Sequence, residues 1–169
     1  MMRWFRLALL LVCVLPGVAQ QPAPASGVLS SAETQRLMPP SVFFQGQTAT
    51  VQIRNSFVMR FPNGGLVLAG LVDTGGYSSA IRDRYQFYLL ADTPIEMGGK
   101  RLAPGAYGCG FLPDGLLVMD LSGHELLRVA TAKDAGLTRP RPLQMRAGKG
   151  ADEVLLYLGR EFVSVRQMQ

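Results

Sequence analysis

Apolar and polar residues alternate along "VQIRNSFVMRF", with Asn55 and Val58 as the two exceptions. Val51, Ile53, Phe57, Met59 and Phe61 fall on one side, and Gln52, Arg54, Ser56 and Arg60 on the other. A period of two predicts a half-buried strand. "PNGG" then makes a turn, because Asn and Gly tolerate positive φ. "LVLAGLV" predicts a buried strand running back, and "DTGG" turns the chain again. In "YSSAIRDRYQFYLL", Ser78 or Ser79 either caps a short helix carrying Ile81, Tyr85 and Leu89, or precedes an early strand. The preferred reading is a helical turn and then a strand from about Gln86.

The runs that follow are short, β-rich and punctuated by Gly-Gly, Pro-Gly, Asp-Gly and Ser-Gly. Turn signals at intervals of about 8–12 residues predict an antiparallel meander. "TRPRPLQMRAGKGADEVLLYLGREFVSVR" is expected to end the chain as two longer strands around the "GKGAD" loop. No stretch holds a helical period for long. The expected class is all-β, an antiparallel sandwich or partly closed barrel of about 8–10 short strands with one or two short helical turns.

The amino-terminal pattern is different. Arg3 and Arg6 precede the apolar run Leu7 to Leu15, and Pro16-Gly17 breaks it before Ala19. This predicts an export signal over residues 1–19, cleaved after Ala19, since a membrane-spanning helix takes roughly 20 apolar residues. Val12 before Cys13 does not fit a lipoprotein signal. Residues 20–40 are expected to be a linker with a short helical turn, where Ser30 and Glu33 have capping-box spacing and Pro39-Pro40 stops the helix. Residues 41–169 then form a single all-β domain in a secreted or periplasmic protein.

Cleavage changes the charge and the cysteine count. The whole chain carries 17 Lys+Arg against 12 Asp+Glu, a net +5. Without Arg3 and Arg6 the balance is 15 to 12, about +3, and it is spread out. Nucleic-acid binding wants a clustered basic face, so it is not expected. Cys109 alone remains, which rules out an internal disulfide and predicts a small buried apolar side chain.

Asp73, Thr74 and Gly75 carry the candidate chemistry. "NGGLVLAGLVDTGGYSSAI" resembles the first catalytic hairpin of retropepsin-like aspartic proteases, and Leu158-Gly159 in "LLYLGREFV" is similar to their segment beneath that loop. The resemblance implies Asp73 as the catalytic carboxylate, Thr74 as the brace and an obligate homodimer. A single Asp-Thr-Gly needs a symmetric partner to supply the second acid. Gly76, the charged pair Arg160-Glu161 and the lack of a flap hairpin depart from the pattern. The competing reading is a turn: Asp73 bonds the backbone two residues on, and Gly75 and Gly76 supply positive φ.

A second segment, "IEMGGKRLAPGAYGCGFL", resembles a hairpin of small secreted bacterial β-sandwich proteins of uncharacterised function. That resemblance implies a sandwich, with Tyr107 on the core face. Tyr77, Tyr85 and Tyr88 are candidates for stacking on a ligand, with core packing preferred. Asp120, His124 and Glu125 do not make a convincing zinc set, so no metal or other cofactor is expected. Neither a G-x-S-x-G serine nor a phosphate-binding glycine loop is present. The sequence thus points to an exported, non-catalytic β-domain that binds a protein or carbohydrate or associates with the envelope. The alternative is the homodimeric peptidase.

Overall fold

The structure is a computed structural model describing residues 26–168, and the expected export signal over residues 1–19 lies outside the described residues. The chain enters through β1 (Gly27–Val28), the helix α1 (Ser31–Leu37) and β2 (Ser41–Phe44). Ser30 and Glu33 form the expected capping box: Glu33 N–H donates to Ser30 Oγ, and the Glu33 carboxylate accepts from Ser30 N–H. Residues 27–40 are therefore more than linker. β1 is a paired strand, and Met38 is buried.

The long strand β3 (Gln47–Arg60) and β4 (Leu66–Asp73) form the first hairpin, turned by Gly64 at φ 91°. The short helix α2 (Ser79–Arg82) leads into β5 (Phe87–Ala91). β6 (Ile95–Met97) and β7 (Lys100–Leu102) flank Gly98-Gly99, both with positive φ. β8 (Gly105–Leu112) and β9 (Gly115–Met119) are the next hairpin, followed by β10 (Glu125–Val129) and β11 (Ala132–Lys133). The carboxyl-terminal stretch holds three strands instead of two: β12 (Leu143–Ala147), β13 (Glu153–Leu158) and β14 (Glu161–Gln167). Gly159, at φ 62°, turns the chain where a single strand was expected.

Two antiparallel sheets result. The first runs β1-β3-β4-β5-β8-β9-β10, with β2 on the same edge of β3 as β1. The second runs β12-β13-β14-β6-β7, with β11 beside β14. The fold is an all-β sandwich without a closed barrel among the described residues. Several pairings of two or three residues raise the strand number above the expected range.

The first sheet is buried on both faces. Val67, Ala69, Phe87, Leu89, Leu116 and Val118 point toward the second sheet and meet Ile95, Leu156 and Val165 there. The side chains between them, including Leu68, Val72, Tyr88, Leu117 and Met119, point the other way. Those pack under Phe44, Met38 and the 77–85 segment. Period-two strands with both faces apolar read as continuous hydrophobic runs, as "LVLAGLV" and "GLLVM" do. Each large side chain removed from water contributes roughly 1.5–3 kcal/mol. Gly108 and Gly110 leave room for that outer layer: a Cβ at 108 would lie 2.3 Å from Phe44 Cε2, and one at 110 would lie 2.2 Å from the Arg84 carbonyl oxygen.

Candidate functional site

The most irregular backbone in the first sheet lies within β3. Val51 pairs with Val72, but the next ladder pair is Ser56 with Gly70. Residues 52–55 thus face Leu71 alone, a bulge with three extra residues. An odd insertion reverses which face each later side chain takes. Val51 and Ile53 accordingly pack in the outer layer, while Phe57, Met59 and Phe61 pack between the sheets. The expectation of one apolar face from 51 to 61 is corrected here, and the bulge is the reason. Ser56 Oγ donates to the Ile53 carbonyl at 2.6 Å, and Asn55 Nδ2 donates to Gln52 Oε1 at 2.9 Å. Gly70 sits opposite, where a Cβ would lie 2.8 Å from Val51 Cγ1.

The bulge opens a site because of what flanks it. On the outer edge of β3, β2 pairs with residues 47–50 and β1 with residues 59–60. Backbone bonds from Val51 N–H to Pro40 and from Leu29 N–H to Val58 extend each pairing slightly. Residues 52–55 have no ladder partner on either side among the described residues. α1, which links β1 to β2, crosses this interval and leaves a groove of about 480 Å³ between itself and the bulge.

Val28, Leu29, Ile53 and Phe57 give the groove an apolar lining, and Ser31 and Gln35 of α1 give it polar groups. Arg54, from the bulge, and Arg141, from the segment before β12, also line it. Gly159 N–H donates to the Arg141 carbonyl at 3.1 Å and holds that segment down. Some arginines in the fold are engaged: Arg128 holds Glu125 and Asp114, and Arg166 holds Glu153 and Glu96. Neither Arg54 nor Arg141 has a carboxylate partner among the described residues. The groove is therefore positive in charge and apolar beneath, which suits an anion with an apolar part.

The residues singled out by sequence lie elsewhere. Asp73 ends β4 at the surface, and its Oδ1 accepts from Gly75 N–H at 3.0 Å. Tyr77 N–H donates to the Thr74 carbonyl at 2.9 Å and closes the turn. Gly75 and Gly76 do not adopt positive φ, contrary to expectation, because this Asx-type turn forms without a left-handed residue. Leu158 ends β13 and Gly159 turns the chain into β14 of the second sheet, while Asp73 belongs to the first.

Tyr77, Tyr85 and Tyr88 are all buried in the outer layer. Tyr85 stacks on Phe44 with centroids 4.0 Å apart, and Tyr77 meets Tyr85 edge-on at 5.7 Å. The Tyr77 hydroxyl lies 3.0 Å from the carbonyls of both Phe44 and Gln47, and burial raises its pKa. The Tyr85 hydroxyl has no hydrogen-bond partner, and burial pushes its pKa far up. All three rings pack within the outer layer. Cys109 is fully buried between the sheets, and burial raises its thiol pKa strongly.

Asp120 lies just past β9 and outside any strand. Its Oδ1 accepts from the backbone N–H of Ser122 and of His124, which lowers its pKa together with the neighbouring His124 ring. His124 Nδ1 is 3.2 Å from Asp120 Oδ2, while Glu125 turns to Arg128. The described residues contain no cluster of three or more metal-ligating side chains. None of their helices is long and apolar enough to cross a membrane. Comparisons of the chain with protein-family models, with curated proteins and with solved structures find no match.

Proposed function

We propose that the chain is an exported, non-catalytic binding module whose ligand lies in the groove between α1 and the β3 bulge. The observation that carries this reading is the bulge itself, which leaves four consecutive residues without ladder partners beside an apolar, positively charged cleft. Bulges recur beside binding sites because they re-aim side chains that a regular strand would bury or pair. Export is supported by the amino-terminal charge and apolar pattern. The surface position of Asp73 and its bond to Gly75 support a structural turn over a catalytic loop.

Amide NMR of the mature chain with a panel of small anionic and neutral organic fragments tests the reading. Saturable shifts clustered at residues 28–35 and 53–57 are expected. Shifts scattered over the surface, or none, would overturn it. Incubation with denatured protein at acidic pH tests the peptidase alternative. No cleavage is expected, and cleavage abolished in a folded Asp73→Asn variant would replace the binding reading with catalysis.

A further inference from the structure

Resting on that groove reading, we infer that the occupant is a short, extended, acidic segment of a partner protein, bound along residues 52–55. Residues 52–55 have no ladder partner among the described residues, and apart from the Ile53 carbonyl, which accepts from Ser56 Oγ, their backbone offers groups of the kind an added strand pairs with. β1 and β2 pair with this same edge of β3 on either side of the bulge and α1 joins them across it, so an added segment would lie in the groove between α1 and the bulge. Strand side chains alternate, so a segment lying here presents one row to Ile53 and Phe57 and the other away from them. Arg54 and Arg141 supply the charge complement, because guanidinium groups without carboxylates of their own take a ligand carboxylate in bidentate fashion.

Other chemistries fit less well. Sugar sites present open aromatic faces, and here Tyr77, Tyr85 and Tyr88 are buried. Single-stranded nucleic acid needs stacking rings along a basic track, and among the described residues the only ring lining this groove is Phe57. A groove of about 480 Å³ holds a few residues, not a folded surface.

The test uses three labelled, end-blocked peptides: Val-Glu-Val-Glu-Val and its Glu→Gln and Glu→Lys forms. Each is titrated by fluorescence anisotropy and mapped by amide NMR. The acidic peptide is expected to bind about tenfold more tightly than the Gln form, and the Lys form not measurably. N-methylation of its central residue should weaken binding about tenfold, since the added methyl removes a ladder donor. Arg54→Gln and Arg141→Gln should each weaken it about three- to tenfold, with the thermal midpoint kept. Arg101→Gln on β7 is the control and should change nothing.

Equal affinity for the Glu and Gln peptides, or shifts outside residues 28–35 and 52–57, would overturn the inference. So would tighter groove binding by oligouronate or oligothymidine. If fragments occupy the groove while the acidic peptide shows no preference, only the ligand class falls. If neither occupies it, the binding reading falls with it.

Discussion

Gly108→Ala tests how tightly the outer layer sits on the first sheet. The new Cβ would lie 2.3 Å from Phe44 Cε2 and 2.8 Å from both Cδ2 and Cζ. Carbon atoms settle at about 3.5–4 Å, so the ring would have to retreat by more than about 1 Å. Its retreat is resisted, because Phe44 is fully buried and stacks on Tyr85 at 4.0 Å. Overpacking of this kind costs about 1–3 kcal/mol, and the resisted retreat puts Gly108→Ala near the upper end. With a urea slope of about 2 kcal/mol/M, the midpoint should fall by about 1 M. Phe44→Leu alone costs about 1–2 kcal/mol through the space it leaves. Combined, the two changes should cost about 1–2 kcal/mol less than their sum, because leucine withdraws from the position the new Cβ claims. Urea melts followed by circular dichroism give all four free energies. A double variant additive to within about 0.5 kcal/mol would refute the contact.

Other changes have expected outcomes of their own. Glu153 is buried and accepts from Lys149 N–H at 2.9 Å and from Arg166 at 3.0 Å, and these bonds hold its pKa below the ordinary 4.5. A depressed carboxylate stabilises the fold above its unfolded pKa, and that contribution is lost as pH falls through the folded value. Glu153→Gln should therefore cost about 1–3 kcal/mol at pH 7 and flatten the decline in stability below pH 4.5, measured by urea melts across pH. Ser30→Ala should cost about 1 kcal/mol by removing the cap of α1, with amide exchange rising first in the groove wall. Cys109 should resist alkylation by iodoacetamide in the folded chain from Gln20 onward and react in urea; rapid labelling of native protein would contradict its burial.

Most of the fold was legible because strand period and glycine turns are local signals. "LVLAGLV", "IEMGGKRL" and the capping box of Ser30 and Glu33 each became the expected element. The face reversal in β3 was visible only as two exceptions, Asn55 and Val58. In the structure Asn55 falls inside the bulge, and Val58 is buried in the outer layer on the reversed phase. A polar residue on the apolar phase and an apolar one on the polar phase, three apart, was the available sign of an odd insertion. Arg54 and Arg141 were not separable from other surface arginines, because their meeting at one groove depends on contacts distant in the chain. The tyrosines clustered in sequence because the 77–85 segment crosses the sheet as a lid of aromatic rings, a tertiary fact with no local mark.

A sheet with protein on both sides has no neutral positions to offer. Along β4, β5 and β9 nearly every substitution meets a packed neighbour, so tolerated change belongs in the exposed turns of the second sheet, such as the 148–152 loop. Affinity tags or reporter insertions placed there should spare folding, whereas the same insertion within β9, buried along its whole length, would force apart two layers at once.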